Sequence, residues 1–299
     1  MLKKTANKMI KKGKLYFAKT SKGSMDIERV IGAKNSLSKP TSVLFFTSHK
    51  CASSFVDNCL DLVLKNSQYR LINYASAIWR LGNSINIKNE NEDPLGNNES
   101  LKLFLEQASD SLFFQKGEIY APLRVPVDFP TRSGFKHIFF LRDPRDVLVS
   151  AYYSRVYSHK LPINNTSKKK YQEKRRLTLE KGIDQHAVEA AQKWLIPLYG
   201  QYKEFLESSD SYLYITYDDF KNDPKQFVQT IMNFLNVQIS KSELNYLSKQ
   251  ASPVQKEVDI NKHKRSGKSQ QYLKELKPET IDSLNHILDK HLDYWGFKN

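Results

Sequence analysis

Lys50 stands in a turn with His49 and Cys51 beside it and Ser53 and Ser54 just beyond, between an apolar run and a helical pattern. An ammonium, two hydroxyls and the free N–H groups of a helix's first turn are all donors, and together they make a seat for an oxyanion such as phosphate. A second constellation is Arg142-Asp143-Pro144-Arg145-Asp146 followed by Ser150. It offers a guanidinium at the end of an apolar run and a hydroxyl about two helical turns past Asp143. Each has a plainer reading. Lys50 reads equally as a solvated lysine in an ordinary turn, and Arg142 and Arg145 pair readily with Asp143 and Asp146 as a surface charge cluster.

The elements that must position these groups are legible around them. Val43, Leu44, Phe45 and Phe46 form a continuous apolar run of the kind found in strands buried on both faces, and Val56, Cys59, Leu60 and Val63 then recur at helical spacing. Ser53 or Ser54 is expected to cap that helix. Ile138 to Leu141 repeats the strand pattern with Arg142 at its end. Asp143 suits a cap and Pro144 a first helical position, and Val147, Leu148, Ala151 and Tyr152 mark an apolar helical face. Strands and helices that alternate in this way, without an internal repeat, predict an α/β fold. Its central parallel β-sheet is flanked by helices on both faces and carries a P-loop-like strand-turn-helix nucleotide site. With 299 residues, 39% of them hydrophobic, the chain can bury one sizeable core, so residues 25–299 are assigned to a single domain and 1–24 to a basic N-terminal appendage.

Order, spacing and context of these segments resemble the sulfotransferase family that uses 3′-phosphoadenosine 5′-phosphosulfate (PAPS). The family's first motif is roughly T-Y-P-K-S-G-T-T-W; Thr47 to Phe55 here is T-S-H-K-C-A-S-S-F. Its second, R-x-P-x-D-x-x-x-S, is met by Arg142, Pro144, Asp146 and Ser150. Tyr212 to Phe220 followed by Asp223-Pro224 is similar to a further family segment, and His263 to Lys268 to its basic R-x-G loop. The resemblance implies that Lys50, with Cys51, Ala52, Ser53 and Ser54, holds the 5′-phosphosulfate and that Lys50 acts in catalysis. It places Phe55 and Tyr217 near the adenine, and Arg142, Ser150, Arg265, Ser266 and Gly267 around the 3′-phosphate. PAPS is then the co-substrate, no metal is expected, and the reaction is in-line sulfuryl transfer to a hydroxyl or amine of a small molecule, carbohydrate or lipid.

Two departures stand out. Ala52 takes the place of the motif's glycine, so a positive φ there would be strained. The K-x-H of the cytosolic branch is missing: residues 119–129 read IYAPLRVPVDF, and no histidine lies between His49 and His137. The catalytic base therefore stays open among His49, Glu118 and Asp128.

Composition fits an anion-handling protein: 47 Lys+Arg against 32 Asp+Glu leave a formal charge of +15. A basic nucleic-acid-binding protein has the same balance, but the charge runs lie outside the motifs, in 1–22 and 160–181, so no nucleic-acid partner is expected. A P-loop-like kinase is the other alternative. Its glycine-rich motif fails at Gly267-Lys268-Ser269, where the required first glycine is Lys262. Leu2, Met9, Ile10 and Phe17 can share one helical face, which gives the appendage weak affinity for a membrane surface, although a frayed tail is the plainer reading. Cys51 and Cys59 form no disulfide framework, and a reducing cytoplasmic location is the default. The polar stretches 80–100 and 159–182 read as loops set over the acceptor pocket.

Overall fold

Successive residues of the central strands point into two different apolar layers. Leu44, Phe46, Phe139 and Leu141 belong to one, and Val43, Phe45, Ile138 and Phe140 to the other. That is why the strands read as unbroken apolar runs: a parallel sheet covered on both faces needs no polar side. The computed structural model describes residues 40–74, 99–159, 161, 165–251 and 267–298. The N-terminal appendage, most of the 80–100 segment, Arg265 and Ser266 lie outside the described residues.

The sheet has five strands, β1 (Val43–Thr47), β2 (Arg70–Ile72), β3 (Glu118–Leu123), β4 (Lys136–Leu141) and β5 (Tyr212–Thr216). Their order is β2-β3-β1-β4-β5 and every pair is parallel. The expected α/β architecture is therefore present. The helices used below are α1 (Ser53–Val63), α2 (Glu99–Gln107), α3 (Pro144–Tyr153), α4 (Asn165–Ala190), α5 (Ile196–Glu207), α6 (Tyr217–Asn222), α7 (Pro224–Leu235), α8 (Lys241–Ala251) and α9 (Pro278–Tyr294). α1, α7 and α8 cover one face through Val56, Leu60, Phe227, Ile231 and Leu247. The other face lies under α3, α5 and α9, with Leu148, Tyr202, Leu284 and Leu288 among its buried residues.

From Asn165 the stretch 159–182 is no loop, contrary to its polar composition. It is helical there, broken once at Gly182, whose φ of 76° only glycine adopts without strain. Its Lys, Arg, Glu, Gln and Leu residues are good helix formers, and Arg176 pairs with both Glu173 and Glu180 at helical spacing. A helix polar nearly all round has no apolar stripe to announce it.

Because all five strands are parallel, their carboxyl ends share one edge, where ligands bind in open α/β sheets. Ser48 follows β1 there, Arg124 follows β3, Arg142 follows β4 and Tyr217 follows β5. With β1 between β3 and β4, the turn bearing Lys50 lies between Arg124 and Arg142.

Candidate active site

The turn from β1 into α1 has an unusual backbone. Lys50 has φ 63° and Ala52 has φ 44°, both left-handed, so the conformation the glycine of such a motif favours is adopted here by alanine. Ala52, rather than Ser53 or Ser54, is the N-cap of α1, and it provides no side-chain cap. Its carbonyl accepts from the amides of Phe55 and Val56 at 2.8 and 3.2 Å. Ser53 and Ser54 thus fall in the first helical turn, where they line the uncapped positive end with their amides and hydroxyls. Cys51 is fully buried, and burial holds its thiol far above its ordinary range.

Three cations meet at this turn. Lys50 is pushed down to about 8, first by burial and then by the charges of Arg124 and Arg142. Arg124 donates from Nη2 to Ser53 Oγ at 3.1 Å. Arg142 donates from Nη1 to the Lys50 carbonyl at 3.1 Å, and its guanidinium carbon lies 4.2 Å over the Tyr217 ring. Two tyrosines of α5 secure the strand ends. The Tyr199 hydroxyl donates to the Arg142 carbonyl, and the Tyr202 hydroxyl reaches the carbonyls of Thr47 at 3.1 Å and Arg124 at 3.0 Å. No motif marks Arg124, Tyr199 or Tyr202 in the sequence. Tyr199 and Tyr202 stand three apart on an otherwise apolar helical face, a pattern read as core, and Arg124 lies in a segment that matched no motif.

The second motif does both things its two readings foresaw. Arg142 pairs with Asp146 at 3.1 Å and Arg145 with Asp143 at 2.7 Å, yet the cluster is buried rather than superficial. Arg145 is structural. It also donates to Asn285 Oδ1 and to the Phe297 carbonyl, both at 2.7 Å, tying α9 and the C-terminal residues to α3. Arg142 faces the cradle. Its Nη2 also donates to the Lys268 carbonyl at 2.9 Å, and the Tyr217 hydroxyl donates to the Gly267 carbonyl at 3.3 Å. The segment after Gly267 then runs across α3, with the Tyr272 amide on Asp146 at 3.2 Å and the Tyr153 hydroxyl on Glu275 at 2.6 Å. Ser150 lies one turn past Asp146 on that same helical face and is half-buried. Lys50, Arg142, Tyr217 and Gly267, far apart in sequence, are so brought together.

Phe55 is buried against Phe220, with ring centroids 4.8 Å apart, and belongs to the core beneath the cradle. Of the three base candidates, two stand elsewhere. Glu118 begins β3, about 15–20 Å from the carboxyl edge by strand rise, where it pairs with Arg70 at 2.5 Å. Asp128 is exposed and pairs at 3.1 Å with Arg132, which also donates to Ser208 ahead of β5, at the edge where strands begin. His49 is on the cradle turn itself, its ring 6.1 Å from that of Trp194.

A family model described as the sulfotransferase domain matches residues 125–296, more than half of the chain. The match takes in the second motif, Tyr217 and Gly267, and begins after the cradle turn. No curated protein matches the chain. Among solved structures, the mouse sulfotransferase SULT7A1 complexed with PAP is similar at 13% identity and a TM-score of 0.47, over 91% of this chain and 90% of that one. Retinol dehydratase in complex with androsterone and the inactive cofactor PAP is similar at 15% identity and a TM-score of 0.48, over 90% and 84%. The same enzyme with retinol and PAP gives 14% and 0.47, over 90% and 86%.

Proposed function

Since the chain belongs to the sulfotransferase-domain family, we propose that the carboxyl edge of its sheet transfers the sulfuryl group of PAPS to a hydroxyl or amine acceptor. The observation that carries this reading is the meeting of Lys50, Arg124 and Arg142 at the uncapped N-terminus of α1. Such an excess of positive charge suits a phosphosulfate and repels a cation. In the reaction the acceptor oxygen or nitrogen forms a bond to sulfur while the bond from sulfur to the bridging oxygen breaks. The electron pair leaves with the 5′-phosphate, and the acceptor gives up a proton. Negative charge grows on the bridging oxygen, where the Lys50 ammonium and the first-turn amides of α1 stabilise it more in the transition state than before. Arg142, Ser150, Gly267, Arg265 and Ser266 are assigned to the 3′-phosphate, and Tyr217 to the adenine. His49 is the base candidate that stands at the cradle.

The acceptor class is small molecule, carbohydrate or lipid, and the domain is placed at residues 25–299. Thermal unfolding with 3′,5′-ADP (PAP), ATP, GTP and a DNA duplex in parallel tests the reading. A ligand at about 100 times its dissociation constant adds roughly 2.7 kcal/mol. Stabilisation by PAP alone is expected, and by a chain lacking residues 1–24 equally. Preference for ATP or GTP would favour a kinase, and for the duplex a nucleic-acid binder. Among the described residues no helix is long and apolar enough to cross a membrane.

A further inference from the structure

We propose that Arg124 is a second cationic ligand of the donor's 5′-phosphosulfate beside Lys50, reaching it from the end of β3 on the side of the cradle opposite Arg142. The inference rests on the sulfotransferase reading and adds to it a residue that no motif marks.

The strand itself aims the side chain. β3 pairs regularly with β1 through Leu44↔Tyr120, but the next pair is Phe46↔Leu123, so β3 holds one extra residue at Ala121–Pro122. A proline is tolerated at such a bulge, and bulges beside functional sites turn the chain that follows. Arg124 is the first residue after the strand. The Tyr202 hydroxyl holds its carbonyl at 3.0 Å and the carbonyl of Thr47 at 3.1 Å, fixing the ends of β3 and β1 to each other. The guanidinium then points at the start of α1, where Nη2 meets Ser53 Oγ at 3.1 Å.

The charges around it argue for an anion. Asp57, one turn along α1 from Ser53, opposes Arg124, and its Oδ1 accepts from Asn73 Nδ2 at 3.0 Å at the end of β2. Asp146 opposes Arg142 at 3.1 Å. Lys50 has no carboxylate partner among the described residues, and both arginines depress its ammonium. With Asp218 and Lys221 also close to Arg142, three carboxylates face four clustered cations, an imbalance that a bound polyanion removes. A guanidinium carries five donors in a planar fork, so one bond to a serine leaves most of them for phosphate or sulfuryl oxygens.

The test compares PAP with adenosine 3′-monophosphate, which lacks the 5′-phosphate, by calorimetry on the wild type, Arg124→Gln and Arg124→Lys. Glutamine keeps a donor for Ser53 and removes the charge. Arg124→Gln is expected to weaken PAP on the order of 10- to 100-fold and leave adenosine 3′-monophosphate within about twofold. It should also move the alkaline limit of PAP binding, set by Lys50, upward from about 8. Arg124→Lys should keep PAP within about tenfold and that limit in place. Equal weakening of both nucleotides, or an unmoved alkaline limit, overturns the inference and leaves Arg124 as a clamp between Ser53 and Asp57. If Arg124→Gln does not fold, Arg124→Lys decides, and a loss of more than tenfold in both nucleotides overturns it. A wild type that binds neither nucleotide refutes the sulfotransferase reading itself, which is a distinct result.

Discussion

Lys50 carries the most easily measured consequence of the site. Burial and two arginines hold its ammonium at about 8, and a bound polyanion draws it back toward its ordinary value of 10.5. The charged form is the binding form. PAP affinity should therefore be level below pH 8 and fall as pH rises from there, with net proton uptake on binding between the two values. Calorimetry in buffers of different ionisation enthalpy checks this; release, or no proton exchange at pH 8.5, would contradict it. Arg142 is bound up with stability as well as with binding. Arg142→Ala strands Asp146 in the interior, a loss on the order of 3–5 kcal/mol, and should weaken PAPS by roughly one to two orders of magnitude while barely changing adenosine 5′-phosphosulfate. Adding Asp146→Asn should recover part of the melting temperature and none of the preference for PAPS. Recovery of both would assign the arginine to packing alone.

At the scale of one element, α1 begins with a strained residue. Ala52 sits at φ 44° and ψ 29°, a conformation that costs an L-residue roughly 1–2 kcal/mol and glycine far less. Ala52→Gly should raise stability by up to about 1 kcal/mol, since the relief is partly offset by the extra freedom of the unfolded chain, and should leave PAP affinity unchanged. Urea denaturation with and without PAP measures both. A destabilised Gly variant would mean that the alanine methyl is a packing contact. The same element explains why an alanine is tolerated at all. α1 is pinned by Val56, Cys59, Leu60 and Val63 in the core, burial large enough to hold a strained first turn.

For the whole molecule, two buried histidines predict sensitivity to acid. His137 lies on β4 beside the stacked rings of Phe46 and Phe139, and neither of its nitrogens has a partner among the described residues. Burial and the charge of Arg132 push it down to about 4. His186 on α4 is likewise pushed down to about 4, chiefly by burial and then by Arg155 and Lys181, with Glu189 opposing. The unfolded chain binds these protons near 6.5, so the folded state is favoured above that pH and loses ground as pH falls from 6.5 to 4, by about 3 kcal/mol for each histidine. His137→Leu should remove about half of that slope in urea titrations at pH 7, 5.5 and 4.5. An unchanged slope would place the acid sensitivity in carboxylates instead.

How much of this was legible in the chain follows from what each feature depends on. The runs Val43–Phe46 and Ile138–Leu141 are strands because their local pattern and their burial agree, and both motifs declare themselves by residue type and spacing alone. The helix at Asn165–Ala190 was not legible, because its polar residues run nearly all round and its few buried ones, Tyr171, Thr178, Ala187 and Ala190 among them, make no continuous apolar stripe. Nor was the role of the arginines. Arg142 satisfies the charge-cluster reading and the cradle reading together, since Asp146 and the Lys50 carbonyl lie on different edges of one guanidinium. Sequence determined the donor chemistry, the strands that carry it and the family, all of which are local in the chain. Only the tertiary structure could bring Arg124 to Ser53, set Glu118 and Asp128 at the far edge, and lower Lys50. Those depend on strand order and on distance through a buried interior, where charges from residues far apart in sequence act on one another.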